Sequence, residues 1–148
     1  MPDYWLDANI FIESKKGPYA FDIAPGFWSF IQNQAGDGVI GSSSLVFDEL
    51  VGLQDNLADW ARAHRDLLFV APDAAVQASL SSIADFVRAS CQPRSAAEFL
   101  AKADPWIIAH ARTYGGAVVT LEARVPANSS KAKIPNVCDH FNVTSISP

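Results

Sequence analysis

The chain has few of the residues that build disulfide scaffolds, zinc sites or polyanion-binding surfaces. Its 148 residues include two cysteines and three histidines, and 11 Lys and Arg stand against 16 Asp and Glu, for a formal net charge of −5. Two cysteines outside any CxxC motif indicate buried thiols rather than a disulfide framework or metal ligands. The negative charge means that a nucleic acid would have to be held by local cations or by bound metal.

Long apolar runs are also lacking. No stretch reaches the roughly 20 apolar residues that span a bilayer, and the opening MPDYWLDANIFIESKK has an acid where a secretory signal needs basic residues. We therefore expect a soluble, cytoplasmic protein with no membrane partner. At 49% hydrophobic residues the chain can bury one substantial core, and it is too short for two ordinary domains, so we expect a single domain over residues 1–148.

Short apolar runs alternate with amphipathic segments along the chain. The predicted strands are DYWL, GVIGSSS, LLFVAP, AVVT and NVTSI, and the segments between them show helical spacing, apart from the loop ARVPANSSKAK. Apolar strands separated by helices are typical of a parallel sheet covered on both faces. The pattern predicts a three-layer α/β/α sandwich with a central parallel sheet of about four to five strands.

Four acids fall where such a sheet binds ligands, beyond the carboxyl ends of its strands: Asp7, Glu49, Asp104 and Glu122. Each has a local alternative. Asp7 could cap the next helix, and Asp104 in ADPWIIAHA is a favoured N-cap residue before a proline. Glu49 and Glu122 could be solvated, and Asp48 competes with Glu49 because the helical period allows either face.

The acidic segments YWLDANIFIE, FDELVG, ADPWIIAHA and AVVTLEA, in this order, resemble the motifs of PIN domain nucleases. FDIAPGFW and KIPNVCDHFNV resemble a bacterial PIN-like subgroup of unknown function, related to the virulence-associated protein C-like toxins of type II toxin–antitoxin systems. The resemblance covers nearly the whole chain. It implies a PIN-like fold in which Asp7, Glu49, Asp104 and Glu122 are catalytic and bind Mg²⁺ or Mn²⁺. The family usually has Asp at the place of Glu122, so the number of bound metal ions, one or two, is left open.

The chemistry of the acids agrees with that implication. Carboxylates without His or Cys suit hard ions such as Mg²⁺ over zinc, and His64, His110 and His140 lie on separate segments. Acids crowded into a crevice raise one another's pKa unless a cation neutralises them. The implied reaction is metal-assisted hydrolysis of RNA, with Glu49 or Glu122 orienting the attacking water.

Polar and basic neighbours complete the predicted site. Asn9 and Thr120 are expected to orient metal ligands or to contact phosphate, although Asn9 could equally cap a helix. We expect Lys15 and Lys16 to hold the substrate backbone near the metal.

The resemblance also implies partners: an RNA substrate and a cognate antitoxin protein over the acidic crevice, while a homodimer is left open. Phe27, Trp28 and Phe30 stand at helical spacing, which favours core positions over a partner surface. Relatives continue into a closing helix, so we expect the end at Pro148 to be clipped or unusually short.

Three other interpretations remain. A haloacid-dehalogenase-type phosphatase needs a second acid at the position of Asn9. A small-ligand α/β domain has no glycine-rich phosphate loop here to support it. A catalytically weak or inactive PIN-like binding module, acting through a protein partner, stays open.

Overall fold

Five short strands form the centre of the molecule. The computed structural model describes residues 1–148, and its strands are β1 (Tyr4–Leu6), β2 (Ile40–Ser43), β3 (Phe69–Val70), β4 (Ala117–Val119) and β5 (Ser145–Ile146). All neighbouring strands are parallel and lie in the order β3-β2-β1-β4-β5. In the register, Trp5 of β1 lies between Gly41 and Val118. The predicted α/β class and parallel sheet are confirmed.

Nine helices connect the strands. Those on the path from β1 to β3 are α1 (Ala8–Lys16), α2 (Pro25–Gly36), α3 (Ser44–Gly52), α4 (Asn56–Ala63) and α5 (Arg65–Leu68). Those after β3 are α6 (Ala74–Ser90), α7 (Pro93–Leu100), α8 (Asp104–Tyr114) and α9 (Ile134–His140).

The direction of the connections places these helices in two layers. The chain moves from β1 through β2 to one edge of the sheet, then returns across it to β4 and on to β5. Because parallel crossovers are right-handed, α1 to α5 cover one face and α6 to α9 the other. Packing agrees: α3 contacts α1 and α4, whereas α8 contacts α6, α7 and α9. The result is the three-layer α/β/α arrangement.

Helix α8 lies at the centre of its layer, against β1, β2 and β4. It buries Ile107, Ile108 and His110 completely, which explains why this segment is apolar almost throughout. His110 stacks on Trp5 at 4.8 Å between ring centroids, and its Nε2 lies 3.1 Å from Ser43 Oγ. Burial lowers the pKa of His110 to about 4, so this histidine is a neutral part of the core.

A close turn leads from α8 into β4. Gly116 there has φ 94°, and a Cβ at this position would lie 2.8 Å from the Asp3 carbonyl oxygen. A side chain would therefore be strained and would collide with the backbone beside β1.

Some local predictions differ from the structure. Helix α9 was not predicted, and Leu67 and Leu68 of the predicted strand LLFVAP belong to α5. Trp28 is buried as predicted, whereas Phe30 is 53% exposed. No helix combines the length and apolar character needed to cross a membrane.

Candidate active site

The connections change direction between β1 and β4. The helices that follow β1 lie on one face of the sheet, and the helix that follows β4 lies on the other. The two chain segments therefore diverge as they leave the sheet and open a crevice at its carboxyl edge. Asp7 directly follows β1 and Thr120 directly follows β4, so both stand at this crevice.

Asp7 is both a helix cap and a member of the crevice. Its Oδ1 accepts a hydrogen bond from the Ala8 amide at 2.7 Å, and its Oδ2 accepts one from Thr120 Oγ at 2.9 Å. The side chain is almost wholly buried. Burial raises the pKa of Asp7 to about 6, and the charges of Glu122 and Glu49 add to the rise, against the opposing effect of the two hydrogen bonds.

Asp104 does not cap α8. The N-cap residue is Ala103, and Asp104 is the first residue of the helix itself. Its carboxylate accepts no hydrogen bond from the protein, so the interpretation of Asp104 as a helix cap is wrong. Burial raises the pKa of Asp104 to about 8, with further contributions from the charges of Asp7, Glu122 and Glu49.

Glu49 reaches the start of α8 from α3 on the opposite layer. Its Oε1 accepts a hydrogen bond from the Ala103 amide at 2.6 Å. This contact places its carboxylate next to Asp104, and it leaves Asp48 exposed on the outer face of α3. The structure therefore turns Glu49, and not Asp48, toward the crevice.

Glu122 lies on the other side of Asp104. Its amide donates to Thr120 Oγ at 3.1 Å, and its Oε1 lies 3.5 Å from the Ile134 amide at the start of α9. Glu122 and Asp104 line one cavity of about 310 Å³. Glu122, although one methylene longer than an aspartate, therefore lies at the same cavity as Asp104.

Asn9 links α1 to the segment that follows β4. Its Nδ2 lies 3.5 Å from Thr120 Oγ, and its Oδ1 accepts from the Leu121 amide at 3.2 Å. These contacts cross between distant parts of the chain, so they differ from the local capping that was the alternative for Asn9. Together with Thr120, Asn9 holds Asp7 and the backbone before Glu122 in a fixed relation.

The structure thus gathers the four predicted acids at one edge of the sheet, where each of the other three raises the pKa of Asp104. No group of three or more His, Cys, Asp or Glu side chains is arranged to hold a metal ion. The donor chemistry nevertheless fits a hard divalent cation, because all donors are carboxylate oxygens. The carboxylate of Asp104 accepts no hydrogen bond. Glu49 and Glu122 each have one carboxylate oxygen that accepts none. Their roles as metal ligands and catalytic groups stay a prediction.

Lys15 and Lys16 do not lie beside the acids. They occupy the last turn of α1, whose first turn is capped by Asp7, and a helix of this length extends about 13 Å. Lys15 instead pairs with Asp55, Nζ to Oδ2, at 2.9 Å. Helix α1 therefore carries both lysines away from the carboxyl edge, and their contact with the substrate backbone stays a prediction.

Other cations lie at the acidic crevice. The cavity that contains Asp104 and Glu122 is also lined by four basic side chains: Arg94, Lys102, Lys131 and Lys133. None of these four cations was among the predicted site residues. They come from distant segments of the chain, around α7 and just before α9, so no local spacing indicates that they share a cavity.

Residues 4–148 match the family model described as a domain of unknown function (DUF4411). The matched range includes all five strands and all four acids. No curated protein and no solved structure matches the chain.

Proposed function

We propose that this chain, which belongs to the DUF4411 family, is a metal-dependent ribonuclease that hydrolyses RNA phosphodiester bonds. Asp7, Glu49, Asp104 and Glu122 would be its catalytic acids and its ligands for Mg²⁺ or Mn²⁺. The observation that carries the proposal is Asp104, a partly buried carboxylate without a hydrogen bond, whose pKa is raised to about 8 by burial and by three neighbouring acids. Such uncompensated charge costs stability, and it clusters at functional sites.

Each acid has a separate part in the proposed reaction. Thr120 fixes the carboxylate of Asp7 through its hydrogen bond, as outer partners fix metal ligands elsewhere. Asp104 supplies two unengaged oxygens. A bound divalent cation would lower the pKa of a water molecule and offset negative charge on the phosphate. The unengaged oxygen of Glu49 or Glu122 could then accept a proton from the attacking water.

The identity of the substrate and the biological role rest on the resemblance to PIN domain nucleases. That resemblance favours RNA over DNA, and it favours a cytoplasmic toxin whose cognate antitoxin protein covers the crevice. The same resemblance is compatible with a homodimer.

The decisive experiment is cleavage of single-stranded RNA by the purified protein in Mn²⁺ or Mg²⁺. We expect Asp7→Asn and Asp104→Asn to lower kcat/KM by about a hundredfold or more, because each removes a charged oxygen donor. Asp48→Asn is a matched control, since it makes the same change on the exposed face of α3. Folded Asp7→Asn and Asp104→Asn variants with undiminished activity would refute the proposal.

A second candidate is an inactive binding module that acts through a protein partner. It is favoured by the hydrogen bonds of Glu49 and Glu122 to the Ala103 and Ile134 amides, which give both glutamates a structural role. Phe30, 53% exposed on α2, would then belong to the partner surface. Absence of cleavage in either metal, together with unchanged partner binding by Asp104→Asn, would support this module over the nuclease.

A further inference from the structure

A groove with basic side chains on its walls lies beside the acids. One wall is the start of α7 with Arg94, and the other is the segment between β4 and α9 that carries two lysines. Lys102 lies where α7 meets α8. We call the groove formed by these four cations, Arg94, Lys102, Lys131 and Lys133, the basic groove; Asp104 and Glu122 lie at the same cavity.

The two walls of the basic groove are fastened to each other. The Gln92 amide donates to the Ser130 carbonyl oxygen at 2.9 Å, and the Ala132 amide donates to Ser95 Oγ at 2.9 Å. These bonds hold the lysine-bearing segment against the start of α7. The chain's own hydrogen bonds therefore hold the two walls together, so binding would require little ordering of the chain.

Two cations of the basic groove, Lys131 and Lys133, have no acidic partner, since neither forms a salt bridge. Arg94 pairs with Glu98 at 3.3 Å on the surface. The charge of Lys102 lowers the pKa of Asp104. Elsewhere the chain does pair such groups, as in the ion pair of Arg124 with Asp139. Unpaired cations within a chain of net charge −5 create a local site for an anion.

The lining of the basic groove favours a phosphate backbone over bases. Only two of its 11 lining residues are hydrophobic, and the aromatic one, Phe99, is itself buried. No exposed ring is available on which a base could stack. Contacts to phosphate position a strand without reading its sequence.

We propose that the basic groove binds the sugar-phosphate backbone of a single-stranded nucleic acid, next to the phosphodiester bond that faces Asp104 and Glu122. The position of the reacting bond rests on the proposed nuclease function, whereas the binding of the strand does not. Arg94, Lys131 and Lys133 are then positioning residues. Base preference in this part of the substrate is expected to be weak.

The test measures strand binding and cleavage separately. Binding of fluorescent single-stranded RNA, from one to ten nucleotides, is followed by anisotropy in EDTA over a range of salt concentrations. The Lys131→Gln/Lys133→Gln double variant removes two charges and leaves a shorter polar side chain at each position. We expect it to raise Kd for the longer strands about tenfold and to reduce the salt slope by about 0.7 for each phosphate that the protein no longer neutralises.

Two further variants locate the effect. Arg94→Gln probes the opposite wall and should weaken binding in the same sense. Arg62→Gln is the matched control, because Arg62 forms a similar surface pair with Asp59 on α4, in the opposite layer of helices and away from the groove. We expect its affinity and its salt slope to equal those of the wild type.

The outcomes separate this inference from the nuclease proposal. Weaker binding by the groove variants without any cleavage in Mn²⁺ supports the basic groove and refutes the nuclease. Normal cleavage with unchanged Kd and KM in the groove variants overturns the basic groove and leaves the nuclease standing. Equal affinity for mononucleotides and for long strands overturns strand binding, since it indicates a site for free phosphate.

Discussion

The two ends of helix α1 place aspartates in opposite electrostatic environments. At its start, Asp7 is buried among other acids and its pKa is raised to about 6. At its last turn, Lys15 binds Asp55 at 2.9 Å, and that hydrogen bond lowers the pKa of Asp55 below its usual value. At the last turn of α1, the acid is therefore neutralised by a lysine, and this ion pair only joins α1 to α4. At the start of α1, by contrast, the Asp7 carboxylate has no cationic partner, and we propose that a metal ion and a phosphate meet there.

The largest expected effect of this contrast is stabilisation by a divalent cation. With Mn²⁺ at a hundredfold excess over its Kd, binding to the folded state raises the free energy of unfolding by about 2.7 kcal/mol. For a chain of this size we expect the melting temperature to rise by about 5–10 °C, measured by circular dichroism. The shift should persist in Lys15→Gln and shrink in Asp104→Asn. An equal shift in both variants would show that the acids at the crevice do not hold the ion.

The next effect is the pH dependence of stability without metal. The folded-state pKa of Asp104, about 8, lies above its ordinary value of 3.8, so the folded state retains a proton that the unfolded state has lost. Stability therefore falls as pH rises from about 4 to about 8, with Asp7 contributing up to about pH 6.

Asp104→Asn removes this penalty. After allowance for the solvent access of a partly buried group, we expect it to raise the free energy of unfolding by about 1–2 kcal/mol at pH 8 and by little at pH 4. Urea denaturation in EDTA at both pH values measures the difference. A loss of stability at pH 8 would show that Asp104 makes a stabilising contact.

The smallest effect is expected at the other end of α1. Lys15→Gln removes the partner of Asp55 but keeps the Asp55 bond to the Ala58 amide that caps α4. We expect a loss of less than about 1 kcal/mol at pH 7, because both side chains of the pair are partly solvated. The loss should diminish in high salt and as falling pH protonates Asp55. A gain of stability, as expected for Asp104→Asn, would remove the contrast between the two ends.

The fold and the gathering of the acids could be predicted because local patterns carry that information. Apolar runs such as AVVT ending beside polar residues identify strands, and parallel strands place their carboxyl ends on one edge. Helix α9 was missed because it has only seven residues, too few for a clear helical period.

Other features depend on contacts that the sequence pattern does not contain. The bond from the Ala103 amide to Glu49 joins residues from different layers, and no local signal distinguishes Glu49 from Asp48. Lys15 and Lys16 are close to Asp7 along the chain, but the length of α1 separates them from Asp7 in space. A helix that starts at the carboxyl edge carries its later residues toward the opposite edge.

The hydrogen bond between Thr120 and Asp7 spans 113 positions of the chain. During synthesis, Asp7 is translated long before β4, so its carboxylate gains the hydrogen bond from Thr120 only after β4 has been made. A nascent chain that has not yet reached β4 holds Asp7 and Glu49 but lacks Thr120 and Glu122. Assembly of the proposed catalytic centre is therefore delayed until β4 and the residues that follow it have been translated.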